Sequence, residues 1–474
     1  MQLSFFTIPP LLMVVVDKEY LSSYSSTTGF LGTFLGSLIL GFILFRTCRP
    51  YKFSNSTPFL ICTFVWVLFS LIGGLPIYVS TNTTFINALF EGTAGFTTTG
   101  TSILCNIEEL PRSVLLWRSL MQWLGGIGII AFFISIQSGV PGLHKLYGAE
   151  SSKLDIQRPV PGLLNTIRIL WSIYIVGTVI MIVLLWIQNV PLFISVNHGL
   201  TSISTGGFST FDNNIQGLQS IPGIRPLWIQ TTLVVGMLFG STNFLLHYRF
   251  FSGQWKAVFD THEMKLWLTF MIVTIGVLFF LSSNNSPSQF LPSAMNQVFQ
   301  TVSLSSTTGY TIAPFSPSSM TDVTKLLFFL LMFIGGCHGS TTGGIKMQRV
   351  LLIGKSIFRE LQKIWLPEEA VLPIVLDKKI VPENATQQAL IISSIWVFSL
   401  LLGTLLLLLS STMSLQTAFS AQLSALSNIG PSFMDSATLA SSNLLVKIIL
   451  MISMIAGRIE ILPLLLLFQR KAWT

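Results

Sequence analysis

Four short segments of this 474-residue chain place hydroxyl or small residues just ahead of a glycine. They read Thr97-Thr98-Thr99-Gly100, Ile203-Ser204-Thr205-Gly206, Ser306-Thr307-Thr308-Gly309 and Ser427-Asn428-Ile429-Gly430, and their glycines fall 106, 103 and 121 residues apart. Loops of this kind, gathered around one axis, can exchange the water shell of a bare cation for backbone carbonyls. Glycine supplies backbone angles closed to residues with a Cβ. Thr98, Thr99 and Gly100, then Ser204, Thr205 and Gly206, Thr307, Thr308 and Gly309, and Asn428, Ile429 and Gly430 are the candidate ion-binding residues. No acidic residue lies within the four filters, so carbonyl dipoles rather than a carboxylate ring would select. That favours a monovalent cation over Ca²⁺ or Mg²⁺. The fourth copy is the odd one, with Ile429 and Pro431 in place of hydroxyl or flexible residues.

A second constellation lies at 335–346. Gly335, Gly336, Gly339, Gly343 and Gly344 give five glycines in ten positions, and Lys346 follows them. Each glycine costs a helix up to about 1 kcal/mol relative to alanine. Irregular backbone at membrane depth is tolerated only against protein or water. A gating loop below the filter meets that condition, and a small-residue packing seam is the alternative. Arg458 sits mid-way through an apolar stretch, where an arginine lines a cavity or finds a partner. It can form an inner barrier with the loop, or a structural pair with Glu460 or another carboxylate. Glu91, Asn197 and Gln300 each lie nine residues before their glycine, with Gln422 one residue off. They read as braces behind the filter, and His198 and His338 as hydrogen-bonded structural residues.

The elements that must position these groups follow from hydropathy. The chain is 51% hydrophobic and 9% charged, with mean hydropathy +0.71, against about 25% charged residues in soluble domains. Cys48, Cys62, Cys105 and Cys337 have no metal or disulfide spacing. Long apolar stretches run at 29–45, 57–79, 113–137, 166–188, 226–247, 266–282, 324–337, 386–411 and 439–468. Shorter ones at 84–96, 191–203, 289–305 and 414–426 are too short to cross and read as re-entrant helices. The expected fold is an all-α membrane protein of four helix, re-entrant pore helix, helix (M1–P–M2) repeats around one pseudo-fourfold pore. An N-terminal helical pair precedes them, its first segment, 3–16, short for a span. The units are 1–52, 53–145, 146–252, 253–365 and 366–474.

Charge gives an independent check. Arg46, Arg49, Lys52, Lys145, Lys153, Arg158, Arg168, Arg249, Lys256, Lys265, Lys346, Arg349, Lys355, Arg359, Lys363, Lys378, Lys379, Arg470 and Lys471 all fall on one side of this topology. That side is cytoplasmic by the positive-inside bias. The net charge of +8 is therefore a topological signal rather than a nucleic-acid one. The basic connectors at 355–379 serve that bias or dock a partner. No removable signal peptide is read at the N-terminus.

In combination, certain motifs resemble the Trk/Ktr/HKT superfamily, and most of all its TrkH branch. They are Gly95-Phe96-Thr97-Thr98-Thr99-Gly100, Ser204-Thr205-Gly206-Gly207-Phe208-Ser209-Thr210, Thr307-Thr308-Gly309-Tyr310 and Asn428-Ile429-Gly430-Pro431. With them go Gly335-Gly336-Cys337 through Gly343-Gly344-Ile345-Lys346, Asn243-Phe244 with His247-Tyr248-Arg249, and Gly457-Arg458-Ile459-Glu460. The resemblance implies potassium uptake across the bacterial inner membrane and a gating loop in the third repeat. It also implies a homodimer and a cytoplasmic RCK-type, TrkA-like regulator that carries the nucleotide, NAD or ATP. No covalent cofactor is implied, and the further contacts are membrane lipid, not nucleic acid. Gly100, where sodium-transporting plant relatives tend to carry serine, points to potassium. The chain departs from the family at its short first segment, at His338 and at Thr342. A sodium-conducting or potassium/sodium-coupled relative (a symport) is the nearest alternative. An inverted-repeat transporter conflicts with the shared orientation of the four units. A membrane enzyme would need clustered acid, base or metal-ligand groups, so no enzyme is expected.

Overall fold

In a bilayer every backbone N–H and C=O must find its partner within the protein, which leaves long apolar segments the helix as their solution. The computed structural model describes residues 2–19, 26–47, 57–137, 163–256, 260–281, 290–313, 315–367, 370–377, 379–470 and 473. Of the basic residues singled out above, Arg49, Lys52, Lys145, Lys153, Arg158, Lys378 and Lys471 lie outside them, as do the unit boundaries at 52 and 145.

Two short helices, α1 (Gln2–Phe5) and α2 (Ile8–Val16), precede α3 (Ser26–Thr47). Then come α4 (Thr57–Ser80), α5 (Phe85–Phe96) and α6 (Arg112–Gln137), followed by α7 (Leu163–Ile187), α8 (Leu192–Ile203), α9 (Pro226–Ser241) and α10 (Phe244–Phe251). The third group is α11 (His262–Leu281), α12 (Phe290–Ser305), α13 (Asp322–Phe333) and α14 (Met347–Lys363). A two-stranded antiparallel hairpin, β1 (Ile374–Leu376) with β2 (Lys379–Val381), leads to α15 (Glu383–Ser410), α16 (Leu415–Ser427), α17 (Leu444–Arg458) and α18 (Leu462–Leu466). Among the described residues α3, α4, α7, α11 and α15 are long and apolar enough to cross a membrane.

Their faces are arranged for lipid. Helix α3 buries Ser26, Gly29, Phe30, Thr33 and Ser37 at helical spacing and exposes Leu31, Leu35, Ile39 and Phe42. Small and hydroxyl residues let helices approach one another, while large aliphatic ones meet the acyl chains. The short helices α5, α8, α12 and α16 each follow a long one and end in a buried turn.

The helices that follow those turns are less regular than the hydropathy suggests. Helix α6 runs unbroken, but the stretch expected at 226–247 bends by 104° between α9 and α10. There Asn243 caps α10 through its side chain, accepting from Leu245 N at 2.8 Å. The stretch expected at 439–468 stops at Arg458, where Glu460 and Ile461 take φ of 61° and 63°, and restarts as α18. The break at 334–346 is thus one of three among the described residues of these helices.

Candidate cation filter and gate

The turns after α5, α8, α12 and α16 share one backbone design. Thr98, Thr205, Thr307 and Asn428 all lie in the left-handed region, with φ of 54°, 51°, 53° and 53°. Their N–H groups reach back three residues, to Gly95, Ser202, Leu304 and Ala425 carbonyls at 3.0–3.3 Å. The following residues, Thr99, Gly206, Thr308 and Ile429, reach back five, to Ala94, Thr201, Ser303 and Ser424 at 2.9–3.1 Å. This is a Schellman-type helix ending, which normally takes glycine or asparagine at its left-handed position. Three β-branched threonines stand there instead, each at a cost of roughly 1–3 kcal/mol.

Two residues on comes a glycine of positive φ: Gly100 at 79°, Gly207 at 80°, Gly309 at 78° and Gly430 at 112°. The register of the second segment therefore moves by one. Gly207, not Gly206, corresponds to Gly100; Gly206 corresponds to Thr99, and Ser204 to Thr97. The sequence offers two adjacent glycines there, and only the backbone separates them.

These glycines close a ring. A Cβ on Gly100 would stand 2.2 Å from the Gly206 carbonyl oxygen, and one on Gly207 would stand 1.9 Å from that of Thr308. One on Gly309 would stand 1.8 Å from the Ile429 carbonyl, and one on Gly430 would stand 2.8 Å from that of Thr99. Each segment thus abuts the next, and the fourth returns to the first. Side chains would block this approach, and positive φ disfavours them as well. Above the ring a cavity of about 550 Å³ is lined by all four glycines and by Asp212 and Asp435.

Behind the ring, Glu91 is fully buried and pairs with Arg118 Nε at 2.7 Å, while its Oε2 accepts from Ile103 N at 2.9 Å. Arg118 also donates to Ser102 Oγ and the Ser209 carbonyl. Glu91 thus ties down the extended segment that follows the turn after α5. In the corrected register its counterpart is His198, whose Nε2 meets Ser209 Oγ at 3.2 Å. Asn197 accepts from Ser119 Oγ at 2.7 Å, and Gln422 donates to Ser453 Oγ at 2.9 Å. Gln300 Nε2 has no hydrogen-bond partner among the described residues.

The glycine-rich loop lies directly under the ring. It leaves α13 and returns beside itself, with Gly335 N donating to the Ile345 carbonyl at 2.9 Å and Ile345 N to that of Phe333 at 3.2 Å. Thr341 touches the second turn, with Oγ1 2.9 Å from Thr205 Oγ1 and donating to the Gly240 carbonyl at 2.9 Å. Gly343 N donates to Thr307 Oγ1 at 2.9 Å, and a Cβ on Gly343 would stand 2.1 Å from the Ser427 carbonyl. Two of the strained threonines thus turn their hydroxyls onto the loop. Lys346 donates to the Thr342 carbonyl and to Thr342 Oγ1. Arg458 Nη1 donates to the Thr341 carbonyl at 2.6 Å and Nη2 to that of Gly125 at 3.0 Å. Glu460 is not its partner, because Glu460 pairs with Arg349. At the loop's roots Glu263 Oε1 accepts from His338 N at 2.6 Å and Gln348 N at 3.2 Å.

The pattern of the TrkH family, described as a cation transport protein, matches residues 29–473. The chain belongs to the TrkH family. It is 32% identical over 462 residues to the Trk system potassium uptake protein TrkH of Salmonella typhimurium, covering 94% of this chain and 92% of that one. It is 31% identical, with the same coverage, to that of Escherichia coli K12. The crystal structure of the potassium transporter TrkH from Vibrio parahaemolyticus superposes with a TM-score of 0.87 at 28% identity, covering 100% of this chain and 97% of that one. As a TrkH-family member this is a helical, multi-pass membrane transporter and not an enzyme. The residues alone do not give the roles of Gly207, Thr341, Arg118, Glu263 and Arg349. Charges inside apolar helices were the available signal for Arg118, and the second of two glycines for Gly207.

Proposed function

We propose that the chain takes up potassium across the bacterial inner membrane. The carbonyls of Thr99, Gly206, Thr308 and Ile429, alternating with Gly100, Gly207, Gly309 and Gly430, coordinate the dehydrated ion. The observation that carries this reading is the closed cycle of carbonyl–glycine approaches beneath an open cavity. Short helices ending at the ring aim their carbonyl-rich ends at it, which suits a cation. Asp212 and Asp435 line the entrance and raise the local cation concentration. The membrane potential drives the ion inward at about 2.3 kcal/mol per charge per 100 mV.

In the same reading the 335–346 loop is the gate. Gly335, Gly336, Gly339, Gly343 and Gly344 let it fold back under the ring, and Lys346 and Arg458 hold it there and oppose a cation. The relatives' names speak of a Trk system, which supports a separate regulatory component. We assign that role to a cytoplasmic RCK-type, TrkA-like protein that binds NAD or ATP and acts on a homodimer. Expression in a potassium-uptake-deficient strain tests the transport reading. Growth at low external K⁺ and Rb⁺ uptake exceeding Na⁺ uptake support it, whereas Na⁺ uptake alone assigns the chain to sodium.

A further inference from the structure

Three of the four filter segments carry a side chain immediately before the ring glycine: Thr99, Thr308 and Ile429. The second carries Gly206, whose φ is not positive, so its backbone does not demand glycine. A neighbour does. A Cβ on Gly206 would stand 2.3 Å from Gln122 Oε1 and 2.4 Å from Gln122 Cδ. Gln122 lies fully buried on α6, and both ends of its amide are engaged. Nε2 donates to the Gly206 carbonyl at 2.6 Å, and Oε1 accepts from Phe208 N at 3.1 Å.

Two of the other helices that follow a filter turn, α9 and α17, have nothing comparable. Gly125, Gly240 and Gly457 mark one position on α6, α9 and α17, because a Cβ on each would meet a carbonyl in the last turn of its own short helix, that of Phe96, Ile203 or Leu426, at 1.9–2.4 Å. Three residues before those glycines stand Gln122, Met237 and Met454. Only the first can hydrogen-bond through an amide.

The Gly206 carbonyl is one of the four oxygens of the ring. A carbonyl has two lone pairs, and Gln122 occupies one. That lowers the field this oxygen offers an ion and fixes its place, both of which resist contraction around a smaller cation. We infer that Gln122 is a specificity-determining positioning residue: its amide fills the missing side chain of Gly206 and holds this quadrant of the filter for K⁺ or Rb⁺ against Na⁺. The inference rests on the transport reading above.

The test is Rb⁺ and Na⁺ flux through the full-length protein in liposomes. Gln122→Leu keeps the bulk but loses the donor and the acceptor, and Gln122→Met installs the residue of the sister positions. Both should conduct with a Rb⁺/Na⁺ ratio about fivefold or more below wild type, the effect of one or two lost hydrogen bonds. Gly206→Ala should abolish flux by collision with Gln122. Adding Gln122→Gly should restore flux without restoring the ratio. A wild-type ratio in either conducting Gln122 variant, or normal flux and selectivity in Gly206→Ala, overturns the inference. Wild-type protein that passes neither ion overturns the transport reading itself, a separate result.

Discussion

Replacing Arg458 with alanine is the sharpest perturbation of the proposed gate. The guanidinium makes two hydrogen bonds to carbonyls, one to Thr341 at the tip of the loop and one to Gly125 on α6. Only the first distinguishes a seated loop from a displaced one. A hydrogen bond to a charged donor contributes about 1.5–3 kcal/mol, so its loss shifts the open-to-closed ratio roughly 10- to 150-fold. The loop is not freed altogether. Thr341 still holds the Gly240 carbonyl, Gly343 N still holds Thr307 Oγ1, and Cys337 N still holds the Ser241 carbonyl at 3.1 Å. Removing the positive charge lowers the barrier to a cation in the same direction. Basal Rb⁺ uptake into liposomes, without any regulator, should therefore rise at least about tenfold. Arg458→Lys keeps the charge but not the two-armed reach, and should fall between the two. Arg458→Ala protein that elutes as the wild type yet conducts no faster would refute the latch.

Other substitutions probe the ring, the roots of the loop and the orientation. Gly207→Ala should abolish Rb⁺ uptake as completely as Gly100→Ala, since each Cβ would meet a carbonyl at 1.9 or 2.2 Å at a φ near 80°; retained uptake in Gly207→Ala alone would restore the unshifted register. Glu263→Ala strips the acceptor from His338 N and Gln348 N, at about 1–3 kcal/mol for each unsatisfied group, and should raise basal flux and lower Tm. If neither moves, Glu263 does not anchor the loop. Cys105 is exposed while Cys62 and Cys337 are buried, so an impermeant maleimide applied outside intact cells should label Cys105. Burial first, then the Asp212, Asp435 and Glu91 carboxylates, push its thiol above the ordinary range. Labelling should thus be slow at neutral pH, quicken as alkali forms the thiolate, and quicken at neutral pH in Asp212→Asn; a flat rate between pH 7 and about 9 would contradict this.

Much of the plan is legible in the residues because its physics is one-dimensional. Apolar length dictates which segments span, and a glycine after a short apolar helix marks each filter turn, with hydroxyl residues before it in the first three. The second segment misleads by one residue because Gly206 and Gly207 are adjacent and differ only in φ. The threonines at Thr98, Thr205 and Thr307 carry no signal of left-handed backbone, since their chemistry disfavours it; tertiary bonds such as those of Thr205 and Thr307 to the loop sustain it. The break at Thr242-Asn243 has a local signature in the capping asparagine, whereas that at Glu460–Ile461 has none. Arg458 and Glu460 are neighbours in sequence but stand two apart, a spacing at which helical side chains diverge. Glu460 accordingly finds Arg349, which is 111 residues away in the chain.

Selective uptake requires the four segments to form a single cation-binding ring. Anomalous diffraction from crystals grown in Rb⁺ measures this directly. A peak should appear enclosed by the carbonyls of Thr99, Gly206, Thr308 and Ile429, level with Gly100, Gly207, Gly309 and Gly430. Rb⁺ density elsewhere in the pore, with that ring empty, would contradict it.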